Sequence, residues 1–288
     1  MIANGFLIFS RNFEILQAMR HIILLTDFSE TARHAAAYAL NMFEGRNVRF
    51  YLFHAYDVEF SGSPYVMRVK EEMAEESRKS LKRELAALHS DFPNSRIEVA
   101  SRFGPLVDVL IKEVEGGHID PDLLVMGCRG ESALENFLLG SNAFDVIKHV
   151  HLPILAIPRN APLQTPQKMV FATDLKTIDQ DMARPLFDLV SSFESELLFV
   201  NVMEDDYINR LDAEEKIAEF FPGVQLSFYF LEDADVCNSV CSFTEAQAGD
   251  MVVLVRHNYS FFERVFHPSI TKKMVLHPQF PMFILHAR

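Results

Sequence analysis

The feature that most constrains this chain is that it states one plan twice. An apolar run, His21 to Leu25, ends in Thr26-Asp27-Phe28-Ser29; a second, Met169 to Ala172, ends in Thr173-Asp174-Leu175, an offset of 147 residues (173 − 26). After each run, short β-rich segments alternate with helix-length stretches. The strands are expected at 20–25, 48–54, 96–101, 122–127 and 153–157, then at 168–173, 196–202, 224–230, 250–255 and 281–286. Such alternation predicts βαβ units around a parallel sheet. Near-continuous apolar runs such as Leu123 to Met126 and Met251 to Val255 suit strands covered on both faces. The copies also end alike, Leu152-Pro153-Ile154-Leu155 against Phe280-Pro281-Met282-Phe283. The proline-marked stretch 159–167 reads as the linker.

This organisation predicts an extension over 1–18, a first domain over 19–158, the linker over 159–167 and a second domain over 168–288. The extension has no counterpart in the second copy, and Met19 would be a natural start. One insertion separates the copies, a charged amphipathic helix over 65–90 with Val69, Met73, Ser77, Leu81, Leu85 and Leu88 on one stripe. Its Glu71, Glu72, Glu75 and Glu76 precede Arg78, Lys79, Lys82 and Arg83, an order that favours i,i+4 pairing and suits the helix dipole.

Composition narrows the partners. The net charge is −13. By direct count residues 19–158 carry 15 basic and 20 acidic side chains and residues 159–288 carry 11 and 19, so neither half offers the basic face that nucleic acid needs. Three cysteines (Cys128, Cys237, Cys241) suit a reducing compartment rather than a disulfide framework. No apolar run reaches the roughly 18 residues of a membrane span. The expected location is cytoplasmic, with neither membrane nor nucleic acid as partner.

The acidic balance leaves open a small anion held by backbone N–H groups at a helix N-terminus. After the fourth strand of the first copy, Gly127-Cys128-Arg129-Gly130 leads through nine further residues to Gly140-Ser141. Gly127 and Gly130 would allow positive φ and close backbone approach to a ligand. Ser141 would cap the next helix, whose free N–H groups suit phosphate. Each glycine alone would be mere loop punctuation. If the strand order is 3-2-1-4-5, however, Thr26-Asp27 lies beside this loop at the carboxyl edge, where such sheets bind ligands. Asp27 could then accept a ribose hydroxyl, or cap the helix that follows.

Thr26-Asp27-Phe28-Ser29-Glu30-Thr31-Ala32, Phe53-His54-Ala55, and Met126-Gly127 through Gly140-Ser141 to Pro153-Ile154-Leu155 together resemble the universal stress protein family. The Gly-x2-Gly-x9-Gly-Ser spacing is that family's ATP-binding signature, and the chain resembles a tandem member. The resemblance implies two Rossmann-like α/β domains, each an open parallel five-stranded sheet of order 3-2-1-4-5 with helices on both faces. It implies an ATP site (or AMP or ADP), with Mg2+ bridging the phosphates where present. Carried over, the site is Thr26, Asp27, Ala55, Met126, Gly127, Arg129, Gly130, Gly140, Ser141 and Asn142. Leu25, Ala55, Cys128 and Asn142 replace proline, valine, serine and valine that are common in the family. Its members pair through their last strands, so 153–157 and 281–286 are expected to pair within the chain as a pseudo-dimer, with a homodimer and an unidentified protein partner as further expectations.

The second copy departs at the site. Aligning Ser269 with Ser141 puts Val255, or Arg256 after a one-residue gap, at Gly127, Asn258 at Gly130, and Pro268 at Gly140. With all three glycines gone, this copy is expected not to bind ATP. Cys237 and Cys241, four apart on a helix expected over 233–247, read as core residues rather than a metal or redox pair. His149, His151, His257 and His267 read as surface polar residues. Walker, dinucleotide, nucleophile-elbow and zinc-protease motifs are missing. The leading expectation is an ATP-binding regulator of stress response without dedicated catalysis. The alternatives are a slow ATPase or nucleotidyl-transfer enzyme and a nucleotide-independent interaction module.

Overall fold

The computed structural model describes residues 20–57, 66–128, 141–175, 178–203, 210–233, 235–256 and 279–287. The proposed extension 1–18, the glycine loop 129–140 and residues 257–278 lie outside them. In the first half β1 (His21–Leu25), α1 (Glu30–Met42), β2 (Arg49–Tyr56), α2 (Val66–Asp91), β3 (Arg96–Phe103), α3 (Leu106–Glu115), β4 (Leu123–Cys128), α4 (Ser141–His149) and β5 (Ile154–Pro158) follow in turn. The second half repeats the plan with β6 (Lys168–Ala172), α5 (Gln180–Phe193), β7 (Glu196–Met203), α6 (Arg210–Phe220), β8 (Leu226–Glu232), α7 (Val236–Ala246), β9 (Met251–Arg256) and β10 (Met282–His286).

The ten strands form one sheet in the order β3-β2-β1-β4-β5-β10-β9-β6-β7-β8. Within each half every pairing is parallel, and the order is that expected from the sequence. The halves join through β5 and β10, which pair antiparallel with Leu155 opposite Phe283. The antiparallel seam reverses the second half, so the carboxyl ends of the two strand sets point to opposite edges of the sheet. Buried layers cover both faces and cross the seam. Leu155, Ile157, Phe283 and Leu285 share one, while Ile154, Ala156, Met282 and Ile284 share the other. Burial on both faces is why these strands are continuously apolar.

Helix starts follow local chemistry. Ser29 caps α1, its Oγ accepting from the Ala32 amide at 3.2 Å, and Asp179 caps α5 through the Met182 amide at 2.9 Å. The insertion helix α2 forms as expected, and Glu75–Lys79 makes one of its i,i+4 pairs at 2.8 Å. Its buried stripe differs in detail. Val69 is exposed, whereas Glu84 is only 2% exposed and takes both Nε and Nη2 of Arg33 on Oε2. An acidic residue sits on the buried face because α1 supplies its counter-charge. Among the described residues no helix is long and apolar enough to cross a membrane.

Candidate functional site

The order β2-β1-β4 places the reversal of strand order between β1 and β4, and sheets of this kind bind ligands beyond the carboxyl ends at that point. Thr26 and Asp27 leave β1 there. The Thr26 amide donates to the Phe53 carbonyl at 2.9 Å, which holds this turn against β2. Thr26 Oγ1 in turn accepts from the Phe28 amide at 2.9 Å, and Phe28 takes the left-handed conformation with φ 65°. The turn is therefore locked by a side chain at a residue type that rarely adopts positive φ. Asp27 is exposed and accepts from the Ser29 amide at 3.0 Å. A carboxylate has about four acceptor positions, so this bond leaves capacity for a hydroxyl donor.

At the end of β2, Ala55 is half-buried and follows His54. The His54 ring lies 4.4 Å from that of Phe28, and its Nδ1 pairs with Ser77 Oγ at 2.8 Å. Ser77 Oγ also meets Ser101 Oγ at 2.7 Å, linking β2, α2 and β3. Burial pushes the His54 pKa down, and nearby Asp27 partly opposes that shift. The histidine thus braces the site in its neutral form.

Met126 and Gly127 stand near the end of β4. Gly127 does not need positive φ. A Cβ there would meet the Thr31 carbonyl oxygen at 2.7 Å and the Thr31 carbonyl carbon at 2.8 Å. Its missing side chain makes room for the first turn of α1, a packing reason that the loop spacing did not reveal. Cys128 is buried and its thiol pKa is pushed up by that burial, which disfavours a reactive thiolate. Thr26, Asp27, Ala55, Met126 and Gly127 thus gather around adjoining strand ends. Arg129, Gly130 and Gly140 lie outside the described residues; Ser141 and Asn142 begin α4, and their side chains are not described.

Strand register aligns the second half with the first. Leu24 pairs with Val125, and Phe171 pairs with Val253. Counting along β4 and β9, Val255 takes the place of Gly127 and Arg256 that of Cys128, which resolves the two alignments left open by the sequence. The Thr-Asp turn is retained. Thr173 Oγ1 accepts from the Leu175 amide at 3.1 Å, and Leu175 has φ 62°. Its surroundings differ. Asp174 is only 9% exposed, and the cavity bounded by Ala172, Thr173, Asp174, Val200, Asn201, Val202 and Val236 holds about 10 Å³, the room of roughly one water. Asn201, at the register position of His54, donates from Nδ2 to the Thr173 carbonyl at 3.0 Å and so ties the turn down. Asn258, Pro268, Ser269, His257 and His267 lie outside the described residues.

The remaining candidates have structural partners. Cys237 and Cys241 are half-buried against the second core layer. His149 Nδ1 pairs with the Asp145 carbonyl at 2.9 Å. Among the described residues no three His, Cys, Asp or Glu side chains form a group able to hold a metal. Two clamps were not foreseen. Asp122 Oδ2 accepts the Arg20 and His21 amides, and Asp250 Oδ2 accepts those of Gln167 and Lys168, so each half's first strand is pinned at its start by an aspartate before its fourth.

The Universal stress protein family profile matches residues 19–158. A universal stress protein of Methanocaldococcus jannaschii is 28% identical over 144 residues, covering 49% of this chain and 82% of that protein. Universal stress protein G of Salmonella typhimurium is 41% identical over 69 residues, covering 24% of this chain and 46% of its own length. Among solved structures, a universal stress protein from Archaeoglobus fulgidus superposes with a TM-score of 0.73 over 93% of this chain and 98% of that one, at 17% identity. That likeness extends the shared fold across nearly the whole chain.

Proposed function

Because this chain belongs to the universal stress protein family through residues 19–158, we propose that its first half binds ATP, or AMP or ADP, in the crevice between β1 and β4. The second half, 168–288, does not. The chain acts as a cytoplasmic, nucleotide-dependent regulator of the stress response with no dedicated catalytic step, and the antiparallel β5–β10 seam makes it an intramolecular pseudo-dimer.

The observation that carries this reading is the contrast at one register position. Asp27 stands exposed where the strand order reverses, while Asp174 is buried over a cavity of about 10 Å³. A ribose hydroxyl needs a reachable acceptor; of the two Thr-Asp turns, the first presents its aspartate to solvent and the second buries it. Thr26, Asp27, Ala55 and Met126 would receive the nucleoside. Gly127, Arg129, Gly130, Gly140, Ser141 and Asn142 would receive the phosphates through backbone N–H groups, which suit an anion on an acidic protein. Mg2+ enters only as a counter-ion to those phosphates.

Calorimetric titration of the full chain with ATP tests the reading. Saturable binding that Gly130→Val removes is expected, because a branched side chain blocks backbone approach to phosphate. No binding at millimolar nucleotide would overturn it.

A further inference from the structure

The helix that opens at Ser141, on the phosphate side of the proposed site, ends under the control of the other half of the molecule. The Ile147 carbonyl, in the last turn of α4, accepts from Arg256 Nη1 at 2.9 Å and pairs with His286 Nε2 at 3.1 Å. Arg256 ends β9 and His286 ends β10, and the two are register partners. Their meeting with α4 follows from the seam. Because β10 runs antiparallel to β5, the carboxyl edge of the second half lies where α4 finishes. Arg256 holds the register place of Cys128, the residue that leads into the first half's glycine loop. In the second half the same chain position sends a guanidinium across the seam instead.

The electrostatics run in one direction. Helix carbonyls left unpaired at a C-terminus carry partial negative charge, and a cation there stabilises the helix. The opposite end of the same helix presents free N–H groups suited to an anion. A residue that fixes the C-terminal end also fixes where those N–H groups point.

We propose that Arg256 is a positioning residue for the first half's nucleotide phosphates, acting through α4, with His286 as its partner on the same carbonyl. The inference rests on the ATP-binding reading above. It gives the degenerate second half a role, that of holding the phosphate helix of the first.

The test is titration of the full chain and of Arg256→Ala with adenosine, AMP and ATP. ATP affinity is expected to fall about five- to tenfold, the lower range of measured coupling between sites. AMP should lose less and adenosine less than twofold, because α4 faces only the phosphate end. Arg256→Lys, which keeps a cation with a shorter reach, should recover part of the loss for ATP and provides the same comparison if the alanine variant folds poorly. An equal loss for all three ligands would show that Arg256 merely holds the fold and would overturn the inference. So would unchanged affinities beside a wild type that binds ATP. If the wild type binds none of the three, the ATP reading and this inference fall together.

Discussion

Gly127→Ala separates a packing glycine from a ligand-contacting one. The added Cβ would lie 2.7 Å from the Thr31 carbonyl oxygen, 2.8 Å from its carbonyl carbon and 2.9 Å from Thr31 Cγ2. Two of these are backbone atoms in the first turn of α1 and cannot rotate away, so the helix must shift by several tenths of an ångström. Overpacking of this kind costs about 1–3 kcal/mol. Replacing a strand glycine by alanine returns roughly 0.5–1 kcal/mol. The net loss is therefore on the order of 1–2 kcal/mol, or a Tm lower by about 2–8 °C for a cooperative unit of 150–250 residues. Differential scanning calorimetry without nucleotide measures it. An unchanged or raised Tm would refute the packing argument. The second half shows why the same position there takes valine. Its helix starts at Gln180 after a connection over 173–179, longer than the 26–29 connection before α1, and Val255 is buried.

His286 predicts a pH dependence. Burial lowers its pKa to about 4, so between its ordinary value of 6.5 and about 4 the unfolded chain binds a proton that the folded chain refuses. Its contribution to stability is complete above pH 6.5 and is lost as pH falls toward 4, at up to about 1.4 kcal/mol per pH unit; chemical denaturation across this range should show a flatter profile for His286→Asn. Arg33→Ala leaves the Glu84 carboxylate buried without its cation. With Arg33 itself half exposed, the expected loss in urea unfolding is about 1–3 kcal/mol, and Glu84→Gln in the same background should recover part of it. Asn258→Gly should leave the second half unable to bind ATP, because Asp174 stays buried; a second equivalent of nucleotide in that variant would contradict the division of labour.

Much of the fold was legible because both faces of the sheet are buried. That burial writes continuous apolar runs such as Met251 to Val255, and the duplicated Thr-Asp turn gave the repeat. The strand order came with the family resemblance and not with the repeat; both halves carry it. The Thr-Asp pair was legible because it recurs in both halves; the lock it makes, a threonine Oγ1 accepting from a residue at positive φ two positions on, was not. What stayed hidden depends on contacts between distant segments. Nothing local marks Glu84 as buried, because its partner Arg33 lies on α1, 51 residues away. Gly127 looked like a loop glycine because spacing cannot show that Thr31 packs on it. The choice between Val255 and Arg256 at the place of Gly127 needed strand register. The grip of Arg256 and His286 on Ile147 spans 109 and 139 residues of sequence and exists only because the seam is antiparallel.

The central claim is one nucleotide site in a molecule with two copies of the fold. Native mass spectrometry of the full chain with ATP counts sites directly. One ATP per chain, lost in Gly130→Val and kept in Asp174→Ala, is the predicted result. Two ATP per chain, or one that survives Gly130→Val and disappears in Asp174→Ala, would contradict it.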